Sequence, residues 1–374
     1  MKNPFAYSNY VTGESFCNRV TELAELMQYI KGSQNVLLYA HRRYGKSSLI
    51  KQAFKKIREE KMDIGVFYVE LYGTVSEQDF ISRTFQALSQ LESNFERLIH
   101  FFGNAAKNIK LNFTIDDKTG QTCLSPSFGP SDQKIMLEEL MGAIEKYSKK
   151  RKMAIAFDEF QEVAGYTEEG FEKRIRSFIQ RHDNICYIFA GSQRRLLTEM
   201  FNSNNRAFYK MADSFPLDRI ETKSYIPWVN GLFMRKNVTL PPELIEEIVE
   251  RFENHPMYIQ NFLFHLWEEP DESVISTETI QRIESRIIEK KNPEFNMLWE
   301  TLTINQKKTL KLIIKNKGAN LFAADALQSV NLKTGSLVSK ALSSLSDKDI
   351  IQKNGSYGIQ DILFRKWLEQ TLSF

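Results

Sequence analysis

Cysteine is scarce. Cys17, Cys123 and Cys186 are odd in number and far apart, which excludes a disulfide scaffold and argues against a zinc site in a reducing compartment. Long apolar runs are missing too: no stretch approaches the ~20 uninterrupted apolar residues of a membrane span. Met1-Lys2-Asn3-Pro4-Phe5 opens without the apolar core of a signal peptide. These absences predict a cytoplasmic protein with no membrane partner. Internal repeats and low-complexity tracts are lacking as well. The formal charge is only +3, so charge alone names no partner. What remains is ordinary globular composition, 42% hydrophobic and 26% charged over 374 residues, enough for two or three domains.

Charge is nevertheless uneven. Residues 241–290 hold 4 Lys/Arg against 12 Asp/Glu, and the segments on either side are mildly basic. That asymmetry supports a three-part organisation and leaves polyanion contact open at the ends.

Up to about residue 220 the chain alternates short apolar runs with helical periodicity, the pattern of a parallel sheet with crossover helices. The runs are Asn35 to Ala40, Ile64 to Leu71, Met153 to Phe157, Ile185 to Ala190 and Phe215 to Ile220. Their continuous hydrophobicity predicts strands covered on both faces. Residues 98–131 break the alternation: Ile109 to Ile115 has period two, Asp117-Lys118-Thr119-Gly120 supplies a turn, and Thr122 to Phe128 returns. This predicts a β-hairpin insertion, either a partner-binding arm or a plain surface elaboration.

Beyond Ile220 the pattern is helical, punctuated by Pro241-Pro242 and Pro270-Asp271. The last eighty or so residues then read helix, helix, helix and a hairpin flanking Asn354-Gly355-Ser356, the order of a winged helix-turn-helix. The expected architecture is α/β: a five-stranded parallel P-loop core over 1–221, a helical lid over 222–290 and a winged helix over 291–374.

The chemistry concentrates where the first strand meets the first long helix, at Ala40-His41-Arg42-Arg43-Tyr44-Gly45-Lys46-Ser47-Ser48. This fits the phosphate-loop pattern G-x-x-x-x-G-K-[ST] except that alanine stands for the first glycine. In such a loop backbone N–H groups and the helix N-terminus wrap a phosphate, Lys46 reaches the β- and γ-phosphates, and Ser47 binds Mg²⁺. Alanine tolerates positive φ poorly, so Ala40 is expected in helical or extended geometry. A second apolar strand ends in Asp158-Glu159: Asp158 suits the water shell of Mg²⁺, and Glu159 suits a general base for the attacking water. A third ends in Gly191-Ser192-Gln193, where Ser192 and Gln193 are candidates to touch the γ-phosphate or the water, or Ser192 simply caps the next helix.

These residues resemble the archaeal-type P-loop ATPases, a group within the signal-transducing STAND branch of the AAA+ ATPases. The resemblance rests on Asn3-Pro4-Phe5, Phe16-Cys17-Asn18-Arg19, the loop from His41 to Leu49, Phe157-Asp158-Glu159-Phe160-Gln161, Gly191-Ser192 and Asn254-His255-Pro256-Met257-Tyr258. It implies ATP/ADP and Mg²⁺ as cofactors, with Phe16 and Arg19 near the adenine and His41, Arg42, Arg43, Tyr44, Gly45, Lys46, Ser47 and Ser48 on the phosphates. It further implies that His255 and Pro256 belong to a lid that closes over the nucleotide, His255 serving otherwise as a cap or structural residue. Arg206 becomes a candidate for the γ-phosphate of a neighbouring subunit in a homo-oligomer. Ala40, Asn254 and Lys210, the last where relatives often carry arginine, depart from the pattern and suit slow turnover or a nucleotide-locked state.

Two functions follow as expectations. One is a slow Mg²⁺-dependent ATPase whose nucleotide state positions the lid and winged helix. The other is a DNA-binding or protein-interaction module whose P-loop domain only senses or retains nucleotide. Lys333, Thr334, Ser336, Ser339, Lys340 and Ser343 are the candidate major-groove residues, on a helix of low charge.

Overall fold

The structure is a computed structural model and describes residues 2–89, 110–115, 122–127, 133–269 and 275–372. A short turn of 3₁₀ helix at Gly13–Ser15 precedes α1 (Val20–Lys31), β1 (Val36–Tyr39), α2 (Lys46–Glu59), β2 (Ile64–Glu70) and α3 (Glu77–Ser89). β3 (Lys110–Ile115) and β4 (Thr122–Ser127) follow as an antiparallel pair. Then come α4 (Gln133–Ser148), β5 (Lys152–Asp158), α5 (Phe171–Ile179), β6 (Ile185–Gly191), α6 (Arg194–Asn202) and β7 (Asp213–Pro216). The predicted hairpin is thus seen as two paired strands; its turn at Asp117–Gly120 lies outside the described residues.

Five strands form one parallel sheet in the order β2-β5-β6-β1-β7. Successive side chains on a strand face opposite ways, and each face has its own core. Leu37, Phe67, Ile155, Phe157, Tyr187 and Phe189 join a cluster with α3, α4, α5 and α6. Val36, Leu38, Ala154, Ala156, Ile188 and Ala190 join α1 and α2 on the other face. The alanines on that second face let α2, the helix that starts at the phosphate loop, lie close to the sheet. The last strand begins earlier than the apolar run Phe215 to Ile220 suggests. Its ladder to β1 starts at Asp213, and after Leu217 donates to the Tyr39 carbonyl (2.9 Å) the chain turns away.

The remainder is helical: α7 (Thr222–Phe233), α8 (Pro242–Arg251), α9 (Pro256–Trp267), α10 (Thr277–Lys290), α11 (Asn292–Glu300), α12 (Ile304–Lys315), α13 (Ala324–Ser329) and α14 (Gly335–Asp347). The wing, β8 (Ile351–Asn354) and β9 (Ser356–Ile359), turns at Gly355 and is followed by α15 (Ile362–Thr371). One apolar cluster runs from α7 through α15, so the lid helices and the winged helix share a core. Phe5 enters that cluster between Trp228, Phe233 and Trp267. Asn3 donates to the Phe264 carbonyl (3.0 Å), Ala6 N–H to Gln260, and Gln260 to the Ser15 carbonyl (2.6 Å). Residues 3–15 are therefore a strap laced onto the helical lid.

Candidate functional site

Parallel register brings the ends of β1, β2, β5 and β6 to one edge of the sheet. Glu70 sits opposite Asp158, and Tyr39 opposite Gly191. Ligands of open α/β sheets bind at this carboxyl edge. The loop after β1 makes its turn with left-handed residues at Arg43 (φ 65°) and Gly45 (φ 90°), whereas Ala40 keeps a negative φ and donates to the Gly191 carbonyl (3.4 Å). Alanine at the loop entry is accommodated because the left-handed turns fall further on, and Gly45 supplies the one at the start of α2.

From α2 and the end of β5 come the residues that meet. Lys46, 7% exposed, is hydrogen-bonded to Asp158 Oδ1 and lies 2.9 Å from Glu159 Oε1. Burial works against the ammonium, but the two carboxylates outweigh it and hold the Lys46 pKa above the ordinary lysine value. Ser47 Oγ donates to Asp158 Oδ2 (2.5 Å), and the Tyr68 hydroxyl donates to the same oxygen. Asp158 is 1% exposed; burial would raise its pKa, and Lys46 with these hydroxyls brings it below the ordinary value.

Glu159 has a left-handed backbone (φ 54°) at the strand end, a cost of order 1 kcal/mol repaid in its contacts. Its Oε2 accepts from Gln161 Nε2 (2.5 Å), from Ser192 Oγ (2.9 Å) and from the Ser192 N–H (3.2 Å). Burial favours its neutral form, but Lys46 and Gln161 hold its pKa below the ordinary glutamate value. Gly191 makes room for this arrangement: a Cβ there would lie 2.0 Å from Gln161 Oε1.

A cavity of about 980 Å³ opens at this edge, lined by His41 to Ser48, Phe16, Arg19, Glu159, Ser192, Gln193 and Pro256. Arg42 and Arg43 are exposed, and His41 is half-buried with its ring 5.4 Å from that of Tyr44. Burial lowers the His41 pKa, with Arg194 and Arg219 adding to it. Ser48 is buried, and its Oγ accepts from the Val11 N–H (3.0 Å), which ties the strap to α2. Arg19, 2% exposed, donates through Nη2 to the carbonyls of Tyr44 (2.9 Å) and Asp218 (2.7 Å) and through Nη1 to Glu22 (2.7 Å).

Three of the anticipated residues stand apart from this lining: His255, Arg206, and Asp158, which is bonded to Lys46, Ser47 and Tyr68. His255 packs edge-on against the Tyr44 ring (4.9 Å), behind the loop, and burial pushes its pKa down to about 4, so it is neutral at pH 7. Arg206 pairs with Glu172 (2.8 Å). Conversely, Tyr68, Gln260, Asn261 and Tyr225 line the cavity, as do Asp361 and Leu363 from the winged-helix end of the chain. Gln161 stands within the quoted D-E-F-Q segment, so its hold on Glu159 had a signal; Tyr68 lay inside an apolar strand run and had none.

Residues 16–218 match the model of an ATPase domain predominantly from Archaea, and residues 293–370 match that of a probable winged helix domain. The chain belongs to this archaeal ATPase-domain family. No curated protein sequence matches it. Among solved structures, the ATPase-domain chain is similar to the Walker-type ATPase of Pyrococcus abyssi, with a TM-score of 0.61 and 18% identity over 98% of this chain and 99% of that one. It is also similar to the ORC2 protein of Aeropyrum pernix, solved as ADPNP–ADP complexes, with a TM-score of 0.55 and 11% identity over 98% of each chain. At these identities the likeness is one of fold: a P-loop ATPase sheet followed by a winged helix. Among the described residues, no helix is long and apolar enough to cross a membrane.

Proposed function

We propose that this chain binds ATP at the β-strand edge and hydrolyses it slowly with Mg²⁺, as a nucleotide-controlled switch built from three units, 1–221, 222–290 and 291–374. The observation that carries the reading is the convergence of Lys46, Ser47, Glu159 and Ser192 on one cavity, with Asp158 bonded to Lys46 and Ser47. Lys46 and the N–H groups of the loop and α2 would hold the β- and γ-phosphates, while Glu159 takes a proton from the attacking water. Ser192 and Gln193, just after β6, would orient that water or the γ-phosphate. Phe16 and the strap would face the base, with Pro256 at the lid.

The donor set fits Mg²⁺. Ser47 Oγ and Asp158 Oδ2 are hard oxygens 2.5 Å apart, and among the described residues no cluster of three or more His, Cys, Asp or Glu suits a metal held by protein alone. A cation sharing two protein oxygens with phosphates and water is the habit of Mg²⁺. When bound, Mg²⁺ supplies charge neutralisation at the phosphates.

Slow turnover is supported by Glu159 itself. A carboxylate with a lowered pKa and acceptor sites already filled by Lys46, Gln161 and Ser192 is a weak base. Arg206 would have to leave Glu172 before serving a neighbouring subunit. The switch is supported by Asp361 and Leu363 lining the same cavity as the phosphate loop, and by Arg42 of the loop pairing with Asp349 just before the wing (2.9 Å).

Lys46→Ala should weaken ATP binding at least tenfold, and Glu159→Gln should keep binding and abolish phosphate release. Wild-type turnover in Glu159→Gln would remove the assigned base. The second reading, a winged helix on double-stranded DNA with the P-loop domain as sensor, is favoured by the exposed Lys333, Thr334, Ser336, Ser339, Lys340 and Ser343. Mobility shifts across salt concentration test it, and no shift at low salt would leave protein contact as the role of residues 291–374.

A further inference from the structure

Past Ser47 the cavity runs over the end of β2 toward α3, and its lining changes character. Tyr10, Lys51, Tyr68, Glu70, Tyr72 and Arg83 form it there. Far apart in the chain, these residues are gathered from the strap, α2, β2 with the turn after it, and α3.

Two of them leave aromatic surface open. Tyr10 is 58% and Tyr72 68% exposed, and neither packs on another aromatic ring among the described residues. The two cations are left open as well. Lys51 follows Ser47 by four residues and so shares its face of α2. Its Nζ lies 4.0 Å from the centre of the Tyr10 ring and 4.1 Å from that of Tyr68, held between aromatic faces and in no ion pair among the described residues. Arg83 is exposed on α3 and likewise forms no ion pair among the described residues. Glu70 is the one carboxylate of the six, and its oxygens accept from the Tyr72 N–H (3.3 Å) and the Tyr68 hydroxyl (3.4 Å). Within the set two positive charges face one negative charge, so an anion is favoured.

A ligand that uses this surface needs flat apolar faces for the tyrosines and negative charge for Lys51 and Arg83. Bases with their phosphates supply both, and bases stacked on aromatic side chains beside cations are how single strands are held. In a duplex the face of each base is covered by its neighbours, out of reach of Tyr10 and Tyr72. An acidic peptide would answer the cations and leave the rings bare. The openness of the patch favours a strand over a free nucleotide. With more than half of each tyrosine in solvent no small molecule is enclosed, whereas a chain adds up a row of partial contacts.

We infer that this end of the cavity binds single-stranded nucleic acid, with bases on Tyr10 and Tyr72 and phosphates at Lys51 and Arg83. The site adjoins the phosphate loop but uses none of its residues, and it stands independently of the ATP reading and of the duplex reading of the winged helix. The test is fluorescence anisotropy of a dye-labelled oligothymidylate with the full chain, free of nucleotide, at low and at moderate salt. Wild type is compared with Tyr72→Ala, Tyr72→Phe, Arg83→Glu and, on α14, Lys340→Glu; the replaced residues are exposed, and thermal unfolding verifies that each variant is folded. The expected result is salt-sensitive binding, tighter for the strand than for a duplex of the same length, and weakened about fivefold or more in Tyr72→Ala and in Arg83→Glu. Tyr72→Phe and Lys340→Glu should bind as wild type does. No binding at low salt, or undiminished binding in Tyr72→Ala and Arg83→Glu, would overturn the inference. So would loss in Lys340→Glu alone, which would place the strand on the winged helix, or displacement by oligoglutamate as effective as by unlabelled strand, which would mean that only charge is read.

Discussion

Arg19 is a buried cation whose guanidinium bonds three groups at once: the Tyr44 carbonyl in the phosphate loop, the Asp218 carbonyl after β7 and the Glu22 carboxylate. Only a planar fork reaches such a set. A lysine carries three donors on one nitrogen and cannot span it. Arg19→Lys should therefore lower stability by about 2–3 kcal/mol, the worth of one or two lost charge-assisted bonds, and weaken ADP binding because the loop loses its brace. Thermal unfolding and ADP titration check this; a variant matching wild type in both would show that the loop keeps its shape without Arg19. At this scale the sequence was informative where a motif fixes neighbours along the chain, as in Gly45-Lys46-Ser47 and Asp158-Glu159. It was silent where partners meet only through tertiary packing: Tyr68 reaches Asp158 across 90 residues.

Elements obey simpler rules, and most could be read from apolar periodicity. Strand runs of four to seven residues and helices with clear caps were legible; α11 and α15 were not. Only Lys291 separates α10 from α11, so the break is marked by Asn292-Pro293 alone, a pair that reads equally well as a turn. α15 begins at Asp361, whose carboxylate accepts from the N–H groups of Leu363 (2.9 Å) and Phe364 (3.1 Å), and its apolar face only makes sense against the lid. The wing offers a test of local geometry. Gly318 (φ +74°) lies so close to β9 that a Cβ would come 1.8 Å from the Tyr357 carbonyl oxygen, whereas Gly355 (φ +76°) at the wing tip has no neighbour within 4 Å of that position. Gly355→Ala should cost about 1–2 kcal/mol, the left-handed penalty alone, and Gly318→Ala distinctly more, because the wing backbone must also shift. Denaturant unfolding of both variants should rank them in that order, and equal costs would contradict the packing of the wing on Gly318.

Across the whole molecule, the cavity is bounded by parts far apart in the chain: the strap, the sheet edge, the lid helices and the start of α15. The winged helix is held to the core side by the Arg42–Asp349 pair (2.9 Å), whose partners are 57% and 55% exposed, and to the lid by Arg365–Glu253 (2.5 Å) and Lys366–Glu284 (2.5 Å). An exposed pair contributes at most about 1 kcal/mol, so the loop contact is a weak latch that a phosphate would outcompete if, as proposed, it bound at the loop. Small-angle scattering of Glu159→Gln should then change on adding ATP with Mg²⁺, and Asp349→Lys should change the nucleotide-free curve in the same sense. Superimposable curves in all cases would contradict a switch that moves the winged helix. The most direct measurement for the account as a whole is phosphate release from ATP with Mg²⁺ by the full chain, wild type beside Glu159→Gln, with nucleotide binding followed in both. Slow release by wild type, lost in the variant while binding persists, is the predicted result; equal release from both proteins, or no nucleotide binding by either, would contradict it.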